Sequence, residues 1–354
     1  MPQVNPMKAP AIEADVVALL AGSGRDAWPV TLRSCGTGGN NRVYAVETGA
    51  GRVIAKRYFA SPSDRRDRLK AEWDFLSYAA GAGIGCVPRP LARDAGARLA
   101  LYEFIDGSPL SASDIGPPEI AAAVDLILAL NRPDCRAAAQ HIGAASEACF
   151  SPAAHFALVD RRLARLRAIE PVAAIERDAA ALINGIARTW ERLRHSIATA
   201  LGRRGIGIDE QLPAASRCLS PSDFGYHNAL RRPDGTLAFL DFEYAGWDDP
   251  AKLVADFLYQ PTISVDSAAG GIFASRILTG LGGSESMCER ALILRPLFGL
   301  KWCCIMLNAF VRDGMERRLF ADHEINEDAY KRAQLAKSED RLRQLVEEHL
   351  PWPT

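Results

Sequence analysis

The sequence lacks a charge imbalance: 42 Lys and Arg residues stand against 43 Asp and Glu residues and leave a formal net charge of −1. Proteins that bind nucleic acid electrostatically carry a basic excess or a basic patch in their sequence. A strongly acidic excess would instead indicate a solvated tail. Neither imbalance is present, so we expect no nucleic-acid partner.

Cysteine motifs that hold zinc are also lacking. Eight cysteines are scattered along the chain without a C-x-x-C pair, and only Cys303 and Cys304 are adjacent. Zinc sites need paired ligands at short spacings, and disulfide frameworks belong to oxidising compartments. The pattern predicts reduced, mostly buried thiols and a cytoplasmic protein. With 354 residues, the chain is long enough for two domains.

Long uninterrupted apolar runs are absent as well. The N-terminal apolar segment contains Glu13 and Asp15, which the hydrophobic core of a signal peptide would not contain. The most apolar run, residues 291–310, includes Arg295 and Lys301. Because a membrane span needs about 20 predominantly apolar residues, we expect no membrane association.

The most informative stretch that is present covers residues 220–250, SPSDFGYHNALRRPDGTLAFLDFEYAGWDDP. Its first nine residues are polar turn formers and predict a loop. The apolar run 237–242 predicts a strand, and the Pro-Asp-Gly tripeptide between these segments is suited to a tight turn. The stretch therefore predicts a hairpin with Asp223 and Asn228 at one end of the arch and Asp241 at the other.

These three side chains match the needs of phosphoryl transfer. That reaction requires a carboxylate to orient the attacking hydroxyl and accept its proton, and an amide and a second carboxylate to hold magnesium on the nucleotide phosphates. Asn228 follows Asp223 by five residues, and Asp241 follows it by eighteen. A single Asp-x4-Asn pattern is common and means little, whereas both spacings together are rare. We predict Asp223 as the catalytic base and Asn228 and Asp241 as ligands of Mg2+.

A glycine-rich turn lies between two predicted strands in the first third of the chain. Such a turn lets backbone N–H groups approach phosphates without interference from a Cβ atom. A dinucleotide-binding fold would place a helix after the turn, and here a strand follows. The turn could also be a plain hairpin. Its candidate cofactor-binding residues are Gly36, Gly38, Gly39 and Asn41.

Lys56 ends a Val-Ile-Ala-Lys strand, a pattern that presents a lysine to the α- and β-phosphates of a nucleotide. Residues 67–80 predict a helix with Glu72 near its middle, where it could pair with Lys56. The alternative is a solubilising lysine on an edge strand and a solvated glutamate. The downstream loop favours the Lys56–Glu72 pair.

The segment DFEYAGWDDP at 241–250, with VPRPL at 87–91, resembles the aminoglycoside phosphotransferase and choline kinase-like family. The resemblance covers about residues 34–260. It implies an α+β, protein kinase-like two-lobe fold, with a small β-rich N-terminal lobe (1–105, preceded by a short helix) and a larger, mainly helical C-terminal lobe (106–354).

The same resemblance implies ATP and Mg2+ as cofactors and transfer of the γ-phosphate to a hydroxyl of a small molecule. The hinge between the lobes, including Glu103 and Ile105, would contact the adenine through its backbone. The acceptor is expected to be a sugar, a cyclitol, an amino alcohol or an aminoglycoside-like compound. A choline-type acceptor would want an aromatic cage. The candidate pocket residues are Trp302, Asn308 and Asp313.

Three positions depart from the family pattern. Pro221 and Gly225 stand where relatives usually have His and His or Lys, and Leu253 replaces an Asp. Pro221 and Gly225 motivate the alternative of a nucleotide-binding pseudokinase that acts as a scaffold or sensor, although the intact Lys56, Glu72, Asp223, Asn228 and Asp241 argue against it. Arginines 161, 162, 165 and 167 could form a phosphate-binding patch, but a solvated helix face is the preferred interpretation.

Overall fold

The computed structural model describes residues 9–25, 30–35, 39–61 and 66–349. The glycines predicted at positions 36 and 38 lie outside the described residues. The described elements form two lobes, one built on a β-sheet and one built from helices. This α+β, two-lobe arrangement confirms the fold class predicted from the sequence.

The N-terminal lobe contains an antiparallel five-stranded sheet with two helices. The strand order is β1-β2-β3-β5-β4. Val16 and Leu20 of the first helix are fully buried and belong to the same apolar cluster as Val53 and Leu99 of the sheet. The elements are α1 (Ala9–Gly22), β1 (Thr31–Ser34), β2 (Arg42–Thr48), β3 (Gly51–Arg57), α2 (Arg68–Gly81), β4 (Pro90–Asp94) and β5 (Leu99–Glu103).

Helix α2 confirms the helix predicted at 67–80. It begins after Asp67, whose carboxylate accepts a hydrogen bond from the backbone N–H of Lys70 at 2.9 Å. Such an N-cap stabilises a helix by about 1 kcal/mol. Phe75 and Leu76 are fully buried on its inner face. The same face carries the buried Glu72 towards the sheet, because residues three and four apart lie on one side of a helix.

The C-terminal lobe is mainly helical, as predicted. Its centre is the long helix α8, in which Leu297, Phe298 and Leu300 are fully buried. The helices are α3 (Pro117–Leu130), α4 (Pro152–Arg167), α5 (Ala174–Arg203), α6 (Pro250–Tyr259), α7 (Ser267–Gly280), α8 (Glu285–Met306), α9 (Arg312–Ala321) and α10 (Glu327–His349).

Two of these helices differ from the sequence-based expectation. Helix α8 begins at Glu285 after the N-cap Ser284 and continues through Pro296, although a proline usually ends or kinks a helix. Helix α7 was not predicted, because its Ala- and Gly-rich sequence has few large apolar residues to reveal a helical period.

One described segment, Glu285–Phe310, is long and apolar enough to cross a membrane by length and composition alone. Of its most apolar window, 67% is buried inside the protein. A helix at the centre of a protein core has the same composition, since it is surrounded by apolar neighbours on all sides.

The predicted hairpin is present, with one difference in its second strand. Strands β8 (Ala229–Arg231) and β9 (Leu237–Phe239) pair antiparallel around a turn in which Gly235 has a φ of 86°. The prediction that the strand runs to residue 242 is wrong, since Asp241 has a φ of 65° and leaves the extended conformation. Strand β6 (Ser108–Pro109) pairs with β8 and extends the hairpin to three strands, whereas β7 (Cys218–Ser220) and β10 (Gly246–Asp248) pair with each other in a separate sheet.

Candidate active site

The loop that carries Asp223 is held by its own backbone. The N–H of Asp223 donates to the carbonyl of Pro221 at 2.9 Å. The side-chain amide of Asn228 donates to the carbonyl of Asp223 at 3.0 Å. Because the amide nitrogen faces the loop, the Asn228 oxygen is left to accept other ligands, and no donor among the described residues reaches it. The Asp223 side chain is 32% exposed.

Asp241 lies next to Asn228 because the two ends of the hairpin are joined. The N–H of Leu240 donates to the carbonyl of Asn228 at 2.8 Å. The carboxylate of Asp241 then contacts Lys56, with 2.5 Å between Oδ1 and Nζ. The left-handed backbone at Asp241 is a conformation that costs about 1 kcal/mol or more and is often retained at functional sites.

Lys56 is buried between two carboxylates. Its Nζ lies 2.6 Å from Oε2 of Glu72 as well as 2.5 Å from Asp241. Burial, the largest single influence, acts to lower the pKa of Lys56, but Asp241 and Glu72 together outweigh it and leave the pKa well above its ordinary value. The lysine is therefore a fixed positive charge at neutral pH.

Glu72 is the centre of this network. Besides Lys56, it accepts hydrogen bonds from the hydroxyl of Tyr58 at 2.7 Å and from the N–H of Phe242 at 3.2 Å. The hydroxyls of Tyr58 and Tyr102 are 2.6 Å apart, so the network extends into strand β5. The structure thus brings the predicted Lys56, Glu72 and Asp241 together.

Glu243 was not among the predicted site residues, although it belongs to the DFEYAG motif. Its buried carboxylate accepts hydrogen bonds from the amides of Asn40 at 2.7 Å and Asn41 at 2.5 Å. The amide oxygen of Asn41 accepts the N–H of Phe59 at 3.1 Å. Both ends of the Asn41 side chain are therefore engaged within the protein, and this residue fixes the described end of the glycine-rich turn, residues 39–41.

Of the predicted glycines in that turn, Gly39 is described, and its position is open. A Cβ atom added there would have no neighbour within 4 Å. Gly39 also lines the cavity that reaches Asp223. An open backbone at the mouth of the site fits the predicted approach of phosphate groups to this turn.

The two predicted hinge residues differ in whether their backbone groups are already hydrogen-bonded within the protein. The N–H of Glu103 already donates to the carbonyl of Arg89 at 2.9 Å, and its carboxylate contacts the Arg89 side chain. No described residue forms a hydrogen bond with the backbone of the buried Ile105. The Ile105 backbone is therefore free for an outside partner, whereas the N–H of Glu103 is not.

His227 occupies the space that Gly225 leaves. A Cβ atom at Gly225 would lie only 2.9 Å from Nδ1 of His227. The other ring nitrogen, Nε2, is 3.4 Å from Oδ1 of Asp223. Burial acts to lower the pKa of His227, but the hydrogen bond and charge of Asp223 outweigh it and raise the pKa above its ordinary value. The departure at position 225 thus places an imidazole against the predicted base.

A cavity of about 440 Å3 opens beside Asp223. Two of the three predicted pocket residues, Trp302 and Asn308, line it; Asp313 does not, and instead pairs with Arg165 at 3.3 Å. Arg161, Arg165 and Arg167 of α4 are exposed, as the preferred interpretation of a solvated face requires, but Arg161, Arg162 and Arg165 also line the cavity.

A divalent metal could be held only by a small set of protein atoms. Within residues 9–25, 30–35, 39–61 and 66–349, no three His, Cys, Asp or Glu side chains are grouped to hold a metal ion. The amide oxygen of Asn228 and the second carboxylate oxygen of Asp241 are the available donors. This set fits Mg2+, which takes hard oxygen ligands and keeps several waters or phosphate oxygens around one or two protein ligands.

The fold is shared with small-molecule kinases of known structure. A choline/ethanolamine kinase family protein from Mesorhizobium loti is 19% identical, with a TM-score of 0.57 and 95% of each chain covered. The macrolide 2′-phosphotransferase of Brachybacterium faecium is 19% identical, with a TM-score of 0.54 and coverage of 88% of this chain and 99% of the other.

A third similar structure is a spectinomycin phosphotransferase in complex with ADP and spectinomycin. It is 11% identical, with a TM-score of 0.59, and the match covers 93% of this chain and 98% of the other. None of the curated proteins is significantly similar in sequence. The profile of the phosphotransferase enzyme family matches residues 31–289. The chain therefore belongs to the phosphotransferase enzyme family.

Proposed function

We propose that this phosphotransferase is a kinase that uses ATP and Mg2+ and transfers the γ-phosphate to a hydroxyl of a small molecule. The observation that carries the proposal is a linked set of contacts that ends at an open cavity. Glu72 contacts Lys56 and Lys56 contacts Asp241, while the N–H of Leu240 donates to Asn228, whose amide donates to Asp223. A positive charge, two oxygen donors and a carboxylate are the parts that phosphoryl transfer needs.

Each residue then has a separate role. Lys56 binds the α- and β-phosphates, and Glu72 holds it in place. Asp223, at the edge of the cavity, orients the acceptor hydroxyl and accepts its proton. Asn228 and Asp241 would hold Mg2+, which would neutralise the charge of the nucleotide phosphates.

The nucleotide is expected between the two lobes, here residues 1–105 and 106–354. Gly39 offers an unobstructed backbone near the phosphates. The backbone of Ile105 and the carbonyl of Glu103 would meet the adenine. The ADP complex of the spectinomycin phosphotransferase, which shares this fold, supports nucleotide binding of this kind.

Release of ADP from Mg-ATP in the presence of pooled hydroxyl compounds tests the proposal. The pools would contain sugars, cyclitols, amino alcohols, hydroxy acids and aminoglycosides. General-base contributions are about 10²–10⁴-fold, so D223N should lower the acceptor-dependent rate by at least about 100-fold. The matched control is D209N, at an exposed aspartate away from the cavity, and it should retain the wild-type rate.

Three results would contradict the proposal, each in a different way. Tight binding of Mg-ATP without turnover in any pool would support the pseudokinase instead. Absence of nucleotide binding would exclude both functions. Acceptor-dependent release that survives in D223N would remove Asp223 from the role of base.

A further inference from the structure

The cavity beside Asp223 has a strongly basic lining, although the chain as a whole is nearly neutral. Eight of its described lining residues are Lys or Arg, and three are Asp or Glu. Three of the basic residues come from α4, two from α9 and two are lysines of α6 and α8; the eighth is Arg66. Parts of the chain far apart in sequence thus concentrate positive charge at one place.

The acidic residue on the floor of the cavity is neutralised by the protein itself. The carboxylate of Asp256 lies 2.6 Å from Nζ of Lys301 and 3.3 Å from Nζ of Lys252, and it accepts the indole N–H of Trp302 at 2.9 Å. Burial is the largest influence on both lysines; it leaves the pKa of Lys301 below its ordinary value, whereas Asp248 and Asp256 raise that of Lys252. Asp256 is therefore fully engaged.

The second acid is engaged in the same way. Oε2 of Glu147 lies 2.5 Å from Nη2 of Arg162. Only Asp223, the proposed base, remains to face a ligand. Apart from that base, a cationic acceptor would therefore find no carboxylate free to bind its ammonium group, and it would meet several arginines that repel it.

The aromatic side chains of the cavity do not form a cage for a cation. Of the three that line it, Tyr244 already has the guanidinium of Arg66 at 5.4 Å from its ring centre, and Tyr330 has that of Arg318 at 5.2 Å. A quaternary ammonium group needs exposed ring faces. Here the protein supplies its own cations to those faces.

Two arginines of the lining have no partner among the described residues. Arg161 is exposed and makes no ion pair or hydrogen bond there. Arg317 is half-buried, and its Nε is buried without a hydrogen-bond partner in that part of the chain. A guanidinium matches the planar oxygens of a carboxylate or phosphate, and a buried charged donor left unpaired is unfavourable.

We propose, on the basis of the kinase function above, that the acceptor is a hydroxyl compound that already carries an anionic group, either a phosphate ester or a carboxylate. Arg161 and Arg317 bind that group, and the hydroxyl faces Asp223. The cavity of about 440 Å3 is within the range of small-molecule sites.

Matched acceptors test the charge of the substrate. Glycerol, glycerate, glycerol 3-phosphate and 2-amino-1,3-propanediol share a three-carbon skeleton, and ribose with ribose 5-phosphate gives a larger pair. For the skeleton that is accepted, kcat/KM for ADP release should be at least about tenfold higher for an anionic member than for the neutral or cationic one. Preferential turnover of the cationic member would overturn the proposal.

Substitutions locate the anionic group. R161A and R317A should each raise KM for the anionic acceptor about tenfold, since a hydrogen bond to a charged group is lost, and leave KM for ATP unchanged. R167A is the matched control, because Arg167 is an exposed arginine on the same helix that does not line the cavity. A rise in KM for ATP alone would assign these arginines to the nucleotide and overturn the proposal.

Binding can be measured without turnover. The nucleotide site is first saturated with a non-hydrolysable Mg-ATP analogue. Inorganic phosphate or glycerate should then raise Tm of the wild type and of R167A above the value in chloride at equal ionic strength. Neither anion should raise Tm of R161A or R317A. A response to only one of the two anions shows whether the anionic group of the acceptor is a phosphate or a carboxylate. No response to either overturns the anionic site, whereas a response without any acceptor-dependent turnover contradicts the kinase function and leaves the anionic site standing.

Discussion

At the scale of single residues, the site depends on buried charges that satisfy one another. Lys56 is only 5% exposed and Glu72 3%, so neither could remain charged without its partner. The sequence could predict this pair, because Lys56 ends a strand and Glu72 lies on the next helix. It could not predict that Tyr58 and the N–H of Phe242 also donate to Glu72, since those contacts depend on how the hairpin meets α2.

Substituting Glu72 tests the network. E72Q keeps the shape but removes the charge opposite Lys56, and it should lower the free energy of unfolding by about 2 kcal/mol, the size of a lost hydrogen bond to a charged group. Urea denaturation measures this change, and KM for ATP should rise with it. The control is E47Q, at a half-exposed glutamate of the sheet that carries Lys56, and it should change neither quantity. Equal stability of E72Q and wild type would contradict the prediction.

His227 makes the stability depend on pH in a defined direction. Its pKa in the folded protein is raised above the ordinary value of 6.5, so the imidazole binds its proton more tightly in the folded state than in the unfolded chain. This contribution is fully present below pH 6.5 and is lost as pH rises through the raised pKa.

The comparison of wild type with H227Q measures that contribution. Urea unfolding at pH 5.5, 6.5 and 8.5 should show the largest stability difference at pH 5.5 and a smaller one at pH 8.5. A difference that grows with pH would mean that burial, rather than Asp223, dominates the imidazole.

At the scale of elements, the sequence could predict the helices and strands whose own residues carry a clear signal, such as a cap, an apolar stripe or a turn. Helix α2 has an N-cap and an apolar stripe, and the hairpin has a Pro-Asp-Gly turn. Helix α7 lacks such a pattern, because Gly270 and Gly280 replace large apolar residues where the helix meets Leu258 and Leu128. The sequence likewise shows that the arginines of α4 form a polar face, but not that three of them line the cavity, because a helical period does not reveal the elements that pack around it.

Glycines in close contact and in open space give a matched pair of substitutions. A Cβ atom at Gly246 of β10 would lie 2.5 Å from the backbone of residues 143 and 145, so G246A should destabilise the protein by about 2 kcal/mol or more. A Cβ atom at Gly271, inside α7, meets nothing within 4 Å, so G271A should stabilise by about 0.5–1 kcal/mol. Thermal unfolding checks both, and effects of the same sign would contradict the account.

At the scale of the whole molecule, contacts between the lobes organise the site. Glu243 of the helical lobe holds Asn40 and Asn41 of the glycine-rich turn. The fold and the kinase-type motif could be predicted from the sequence, because a short stretch carries both. The charge of the cavity could not, because it results from arginines between positions 66 and 318 that only the folded chain brings together.

The Glu243 contact has a measurable consequence for the turn. E243Q cannot accept hydrogen bonds from both asparagines with the strength of a carboxylate, so the turn should open more often. Amide hydrogen exchange of residues 39–47 should become faster, and KM for ATP should rise about tenfold, with kcat less affected. Unchanged exchange in this segment would show that the turn is held by other contacts.

Helix α9, which carries Arg317 and Arg318, also contacts the N-terminal lobe. The Nε of Arg42 in β2 donates to the carbonyl of Phe320 at 2.7 Å, and the ring of Phe320 packs edge-on against Phe59 at 5.4 Å. An acceptor that holds α9 in one position would therefore also restrain strand β2, which under the proposed function lies beside the nucleotide site. The two ligands then share a coupling free energy, and linkage makes it reciprocal: the factor by which acceptor tightens nucleotide binding equals the factor by which nucleotide tightens acceptor binding.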